Sequence, residues 1–72
     1  MYKIIETDER RYPHVLLLLL NITTGEKRWW CFGEVHADDL CEEYHVKNLQ
    51  GVILDNLPVN GGWIERSEIN KL

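Results

Sequence analysis

The run of six apolar residues from Val15 to Leu20 places the strongest constraint on how this chain can fold. A helix that crosses a bilayer needs about 20 such residues, so a run of this length suits a β-strand covered on both faces. The polar, glycine-bearing segment 22–26 is typical of a turn, and residues 27–35 return with β-favouring aromatics. We therefore expect a central hairpin between His14 and Val35.

Side chains on the return strand alternate between the two faces of this hairpin. Trp29, Cys31 and Val35 are expected on one face, and Trp30 and Phe32 on the other. Both faces therefore carry large apolar side chains and need cover. The face with Trp30 and Phe32 must either curl into a barrel or be buried against a partner. The leading hypothesis is the second outcome, with another copy of the chain as the partner, which predicts a homodimer.

Further strands are predicted at residues 2–7 and 52–54, and residues 8–13 are predicted to form a loop that ends at Pro13. The turn signal Asn60-Gly61-Gly62 indicates that residues 63–64 pair back as another short strand. Ile69 and Leu72 are expected to anchor the polar tail.

The apolar period changes to that of a helix after His36. An amphipathic helix is predicted over about residues 37–46, with Asp39 and Glu42 at the spacing of a capping box near its start. The apolar stripe consists of Ala37, Leu40, Cys41 and Tyr44, and the opposite side carries Asp38, Asp39, Glu42 and Glu43.

The length of 72 residues allows a single small domain, residues 1–72. The predicted elements favour an α+β fold, with a small antiparallel sheet of three to five strands and one amphipathic helix on one face. The alternative is an SH3-like β-barrel with a helical insertion.

The charge of the chain is concentrated in one region. Twelve acidic residues against eight Lys and Arg give a net charge of −4, which opposes binding to a nucleic-acid backbone. Residues 34–46 contain Glu34, Asp38, Asp39, Glu42 and Glu43 and no Lys or Arg. Either this is a solvated helix face, or it docks a basic protein partner, such as a nucleic-acid-binding protein.

No phosphate-binding loop, nucleophile elbow or other catalytic signature is present, so we expect neither an enzyme nor a cofactor. Cys41 and His45 would be neighbours on the helix, but His36 lies five residues before Cys41, and a further ligand would have to be Cys31 or His14. We therefore expect no metal site. No secretion signal precedes the first strand, which predicts a cytoplasmic protein without membrane contact, whose cysteines remain as packed thiols.

Two stretches resemble known families. Residues 29–35, WWCFGEV, and 62–69, GWIERSEI, look like the WWxGE and GxxPSNYV stretches of SH3 domains. That resemblance implies a peptide-binding barrel with exposed tryptophans. The order of apolar strand, glycine turn, paired aromatics and acidic helix is similar to the small phage inhibitors of uracil-DNA glycosylase, which imitate DNA. That resemblance implies an inhibitor or regulator of a basic protein.

The leading hypothesis is a small acidic, non-enzymatic protein-binding module with two partner-binding sets. The acidic set is Glu34, Asp38, Asp39, Glu42 and Glu43, and the aromatic set is Trp30, Phe32 and Trp63. Tryptophan is enriched among the interface residues that contribute most to binding free energy, although a small core also needs such large side chains.

Overall fold

A single five-stranded antiparallel sheet forms the body of the computed structural model, which describes residues 1–72. The strands are β1 (Tyr2–Arg11), β2 (His14–Asn21), β3 (Lys27–Gly33), β4 (Ile53–Leu54) and β5 (Gly61–Ile64), and the helices are α1 (Glu34–Tyr44) and α2 (Arg66–Ile69). The strand order is β4-β1-β2-β3-β5. The expectation of a small antiparallel sheet with one amphipathic helix is confirmed at this level.

The apolar run forms the central strand β2, as its composition predicts. It pairs with β1 on one side and with β3 on the other. Val15, Leu16, Leu17 and Leu19 are all buried, so both faces of this strand are covered. Neither helix is long and apolar enough to cross a membrane.

The sheet curls into a half-barrel around its inner face. Tyr2 on β1 and Trp63 on β5 have ring centroids 6.0 Å apart, although β2 and β3 lie between their strands. The rings of Trp63 and Trp30 also pack edge to face, with their centroids 5.2 Å apart. The core inside the curl is formed by Ile4, Val15, Leu17, Leu19, Trp30, Phe32, Ala37, Leu49 and Leu54.

Two outcomes were expected for the face with Trp30 and Phe32, and the structure shows the first of them: the sheet curls around Trp30 and Phe32. They are only 6% and 4% exposed, because the curl of the sheet places them inside the half-barrel. Alternation correctly separates them from Trp29 and Cys31, which lie on the outer face. There Trp29 and Cys31 are the cross-strand partners of Leu18 and Leu16. Val35 does not join that outer face, because it lies in α1.

The first strand is longer than predicted. Residues 8–11 belong to β1 instead of a loop, and Asp8 pairs with Leu16 across the ladder. Arg10 donates hydrogen bonds from its backbone N and side-chain Nε to Asp8 Oδ1 at 3.0 and 3.1 Å. The side-chain hydrogen bond is the main reason that the pKa of Asp8 is lowered to about 2.

The boundaries of α1 differ from the prediction at both ends. The helix begins at Glu34, with Gly33 as its N-cap, so Asp39 lies inside the helix and forms no capping box. It ends at Tyr44, where His45 takes the left-handed conformation with φ of 56°. Leu40, Cys41 and Tyr44 pack against the core, as the apolar stripe predicts.

The C-terminal third contains two further corrections. β5 begins at Gly61, inside the predicted turn, and it pairs with β3. The tail includes the short helix α2, whose Ile69 is buried, whereas Leu72 is exposed. Arg11 Nη1 donates a 3.1 Å hydrogen bond to the Ile69 carbonyl and so ties α2 to β1.

Candidate docking surface

The side of α1 that points away from the core carries four carboxylates, which we call the acidic face. Its residues are Asp38, Asp39, Glu42 and Glu43, and all four are exposed. The three salt bridges of the chain use only Asp8 and Glu65 as acids. No residue of the acidic face therefore forms a salt bridge with a Lys or Arg of the same chain.

The placement of these carboxylates opposes the stability of the helix itself. Asp38 with Glu42 and Asp39 with Glu43 are like-charge pairs four residues apart, each of which costs a helix about 0.2–0.5 kcal/mol. Glu42 and Glu43 also lie in the last turn, which has no basic residue, where the helix dipole disfavours negative charge. Local helix energetics therefore do not favour this charge pattern.

An open depression with a volume of about 920 Å³, which we call the α1 groove, lies at the start of this helix. Glu34 and Asp38 line it together with Gly61 and Gly62. Two apolar side chains at the groove, Tyr12 and Val35, are 79% and 64% exposed. The groove therefore combines carboxylates with exposed apolar surface.

A second, smaller depression lies along the same helix. Asp39 and Glu43 line it from α1, and Val59, which is 74% exposed, lines it from the segment before β5. His36 and Asn60 border both depressions. The side-chain amide Nδ2 of Asn60 donates a 3.4 Å hydrogen bond to Nδ1 of His36. The acidic face thus borders two adjoining depressions.

The structure separates the two predicted partner-binding sets. Glu34 is half-buried and lines the α1 groove, next to the acidic face. Trp30 and Phe32 lie in the core. Trp63 is half-buried between Trp30 and Arg28, whose guanidinium carbon lies 4.6 Å from the centroid of the Trp63 ring. The acidic residues thus share one surface, and the aromatic residues belong to the packing of the half-barrel.

No family model, curated protein or solved structure matches this chain.

The histidines and cysteines do not gather into a metal centre. Cys31 Sγ lies 3.9 Å from His14 Nδ1, but no group of three or more His, Cys, Asp or Glu side chains is placed to hold an ion. Both cysteines are free thiols. Burial raises the pKa of Cys31, and burial followed by the charge of Asp38 raises the pKa of Cys41, so neither site favours a reactive thiolate.

Sequence reasoning missed Tyr12, Val35 and Val59 as parts of this surface. They come from the β1–β2 turn, the first turn of α1 and the segment before β5, and each is apolar yet exposed. Tyr12 carried one usable signal, because the sequence places it in a predicted loop, and loops run over the protein surface. Val35 carried none, because it was assigned to a strand.

Proposed function

We propose that this protein is a non-enzymatic binding module that docks a positively charged protein partner on the acidic face of α1 and the adjoining α1 groove. The observation that carries the proposal is the set of four exposed carboxylates that have no ion pair and that weaken their own helix. Local patterns that cost stability are expected mainly at functional sites.

Electrostatics and burial supply the physical basis for docking. A cluster of one sign of charge steers an oppositely charged partner and raises its association rate. Exposed Tyr12 and Val35 offer apolar contact beside that cluster, and tyrosine is enriched at interfaces. A nucleic-acid-binding protein would present such a basic surface, and the module would then act as its inhibitor or regulator.

The architecture favours the same region. The strand order β4-β1-β2-β3-β5, with α1 between β3 and β4, resembles that of the OB-fold, a partly open five-stranded barrel. Ligands of that fold bind on the β2–β3 face near the loops after strands one and four. Here those loops supply Tyr12 and Asn60 to the α1 groove. Fold alone does not fix the ligand, and Glu34 and Asp38 favour a cation over an oligonucleotide.

The earlier expectation of a homodimer through Trp30 needs a different surface, because Trp30 is in the core. The half-buried side chains of Leu18 and Trp29 on the outer face would have to provide it. A charged docking surface does not depend on such a dimer, so the two proposals can be tested separately.

The test compares capture of a native-cell partner by wild type and by a variant with Asp38, Asp39, Glu42 and Glu43 changed to Lys. The matched control changes four exposed acids elsewhere, Glu6, Glu26, Asp55 and Glu68, to Lys, which shifts net charge equally. We expect the first variant to lose the partner and the control to retain it. Raising salt should weaken capture by wild type, since exposed charges are screened beyond about 10 Å at 0.1 M. Retention by the acidic-face variant would contradict the proposal.

A further inference from the structure

Three parts of the sheet expose an unpaired strand edge. β4 and β5 lie at the two ends of the strand order. β4 pairs only with Tyr2 and Lys3 of β1, so residues 6–11 of β1 also have a free edge. Free edges present backbone donors and acceptors that can pair with another chain, and most proteins protect them.

Two of these edges are protected and the third is not. Residues 6–11 of β1 are all charged except Thr7, and β4 is only two residues long. β5, in contrast, reads Gly-Gly-Trp-Ile, with neither a charge nor a proline. None of its backbone groups makes a hydrogen bond outside its ladder with β3. The backbone groups on its outer edge therefore have no partner within the chain.

The two glycines of β5 differ in what the fold requires of them. A Cβ at Gly61 would lie 2.5 Å from Trp30 Nε1 and 2.6 Å from the Cys31 carbonyl oxygen, so packing requires glycine there. A Cβ at Gly62 would meet nothing within 4 Å, and its φ is not in the left-handed region. A glycine inside a strand often marks a bulge, a tight bend, or a place where a ligand or another backbone approaches closely, and the space beside Gly62 allows such an approach.

Carboxylates lie next to the beginning of this open edge. Glu34 and Asp38 share the α1 groove with Gly61 and Gly62. Asp39 and Glu43 share the second depression with residues 58–60, which lead into β5. A chain added beside β5 would run past these negative charges, which favours Lys and Arg side chains on that chain.

We infer that the partner presents an extended segment bearing Lys or Arg, which pairs with β5 as a sixth strand while its cations face the acidic residues of α1. This mode of recognition takes affinity from main-chain hydrogen bonds and specificity from alternate side chains. The inference rests on the proposed function and names the form of the ligand.

The test uses a peptide of about eight residues in which lysine alternates with threonine, long enough to cover β5 and to reach α1. A second peptide has the same sequence but carries methyl groups on the four central backbone nitrogens, which removes their donors and keeps every charge. We expect the first peptide to bind at least about tenfold more tightly. We also expect it to slow amide hydrogen exchange within Gly61–Ile64, but not within residues 6–11.

The outcomes separate this inference from the proposed function. Equal binding of both peptides would overturn strand pairing and leave charge-driven docking intact. Failure of both peptides to bind would also overturn the inference, whereas the proposed function would still be decided by partner capture with the acidic-face variant. Slowed exchange elsewhere than β5 would contradict the assigned edge.

Discussion

At the scale of single residues, Gly61 lies in the predicted turn, packs against the core and begins the edge strand β5. Sequence reasoning assigned it to a turn, and Asn60 does have the positive φ of 62° that such a turn uses. Gly61 itself is in a strand and is required because the Trp30 indole lies directly against it. A turn signal and a packing requirement look identical in sequence, and only the pairing of β5 with β3 distinguishes them.

Substituting the two neighbouring glycines tests this packing directly. Gly61→Ala should destabilise the protein by about 1–3 kcal/mol, because the added methyl collides with Trp30 and with the β3 backbone. Gly62→Ala is the matched control and should change stability by no more than about 0.5 kcal/mol. Urea unfolding monitored by tryptophan fluorescence measures both. Equal losses would show that the close contact of Trp30 with Gly61 is not specific.

α1 shows at the scale of elements what sequence patterning can and cannot predict. Its apolar stripe and its acidic side follow directly from the spacing of Leu40, Cys41 and Tyr44. Its start does not, because Gly33 provides no side-chain cap and the Glu34 amide donates at 2.9 Å to the carbonyl of Pro13, a residue of the distant β1–β2 turn. Local capping rules cannot anticipate such a contact.

Changing Glu42 and Glu43 to Lys should stabilise the protein while weakening docking. Each lysine would face an aspartate four residues earlier and would suit the negative end of the helix dipole, for a gain of about 1 kcal/mol. The control, Glu26→Lys with Asp55→Lys, alters exposed acids outside the helices and should be nearly neutral. Urea unfolding of both variants measures the difference. A loss of stability in the helix variant would remove the argument that these acids are kept for binding.

At the scale of the whole molecule, the curl of the sheet decides which of its two predicted faces encloses the core. Alternation sorts Trp29 from Trp30, but the inner face is set by long-range packing such as the contact between Tyr2 and Trp63, which are 61 positions apart. The candidate docking surface could also be predicted from the sequence only in part. Its acids are visible in one stretch of sequence, whereas the α1 groove needs Tyr12, Val35 and Gly61 from three separate segments.

The central claim is that the partner docks on the acidic face and the α1 groove, and an NMR titration tests it most directly. Isotopically labelled wild-type protein would be titrated with the captured partner, and shift changes would be mapped onto the fold. We predict the largest changes at residues 34–43 and at Tyr12 and Gly62, with little change at Leu18 and Trp29 on the outer face. Changes centred on Leu18 and Trp29, with α1 unaffected, would contradict it.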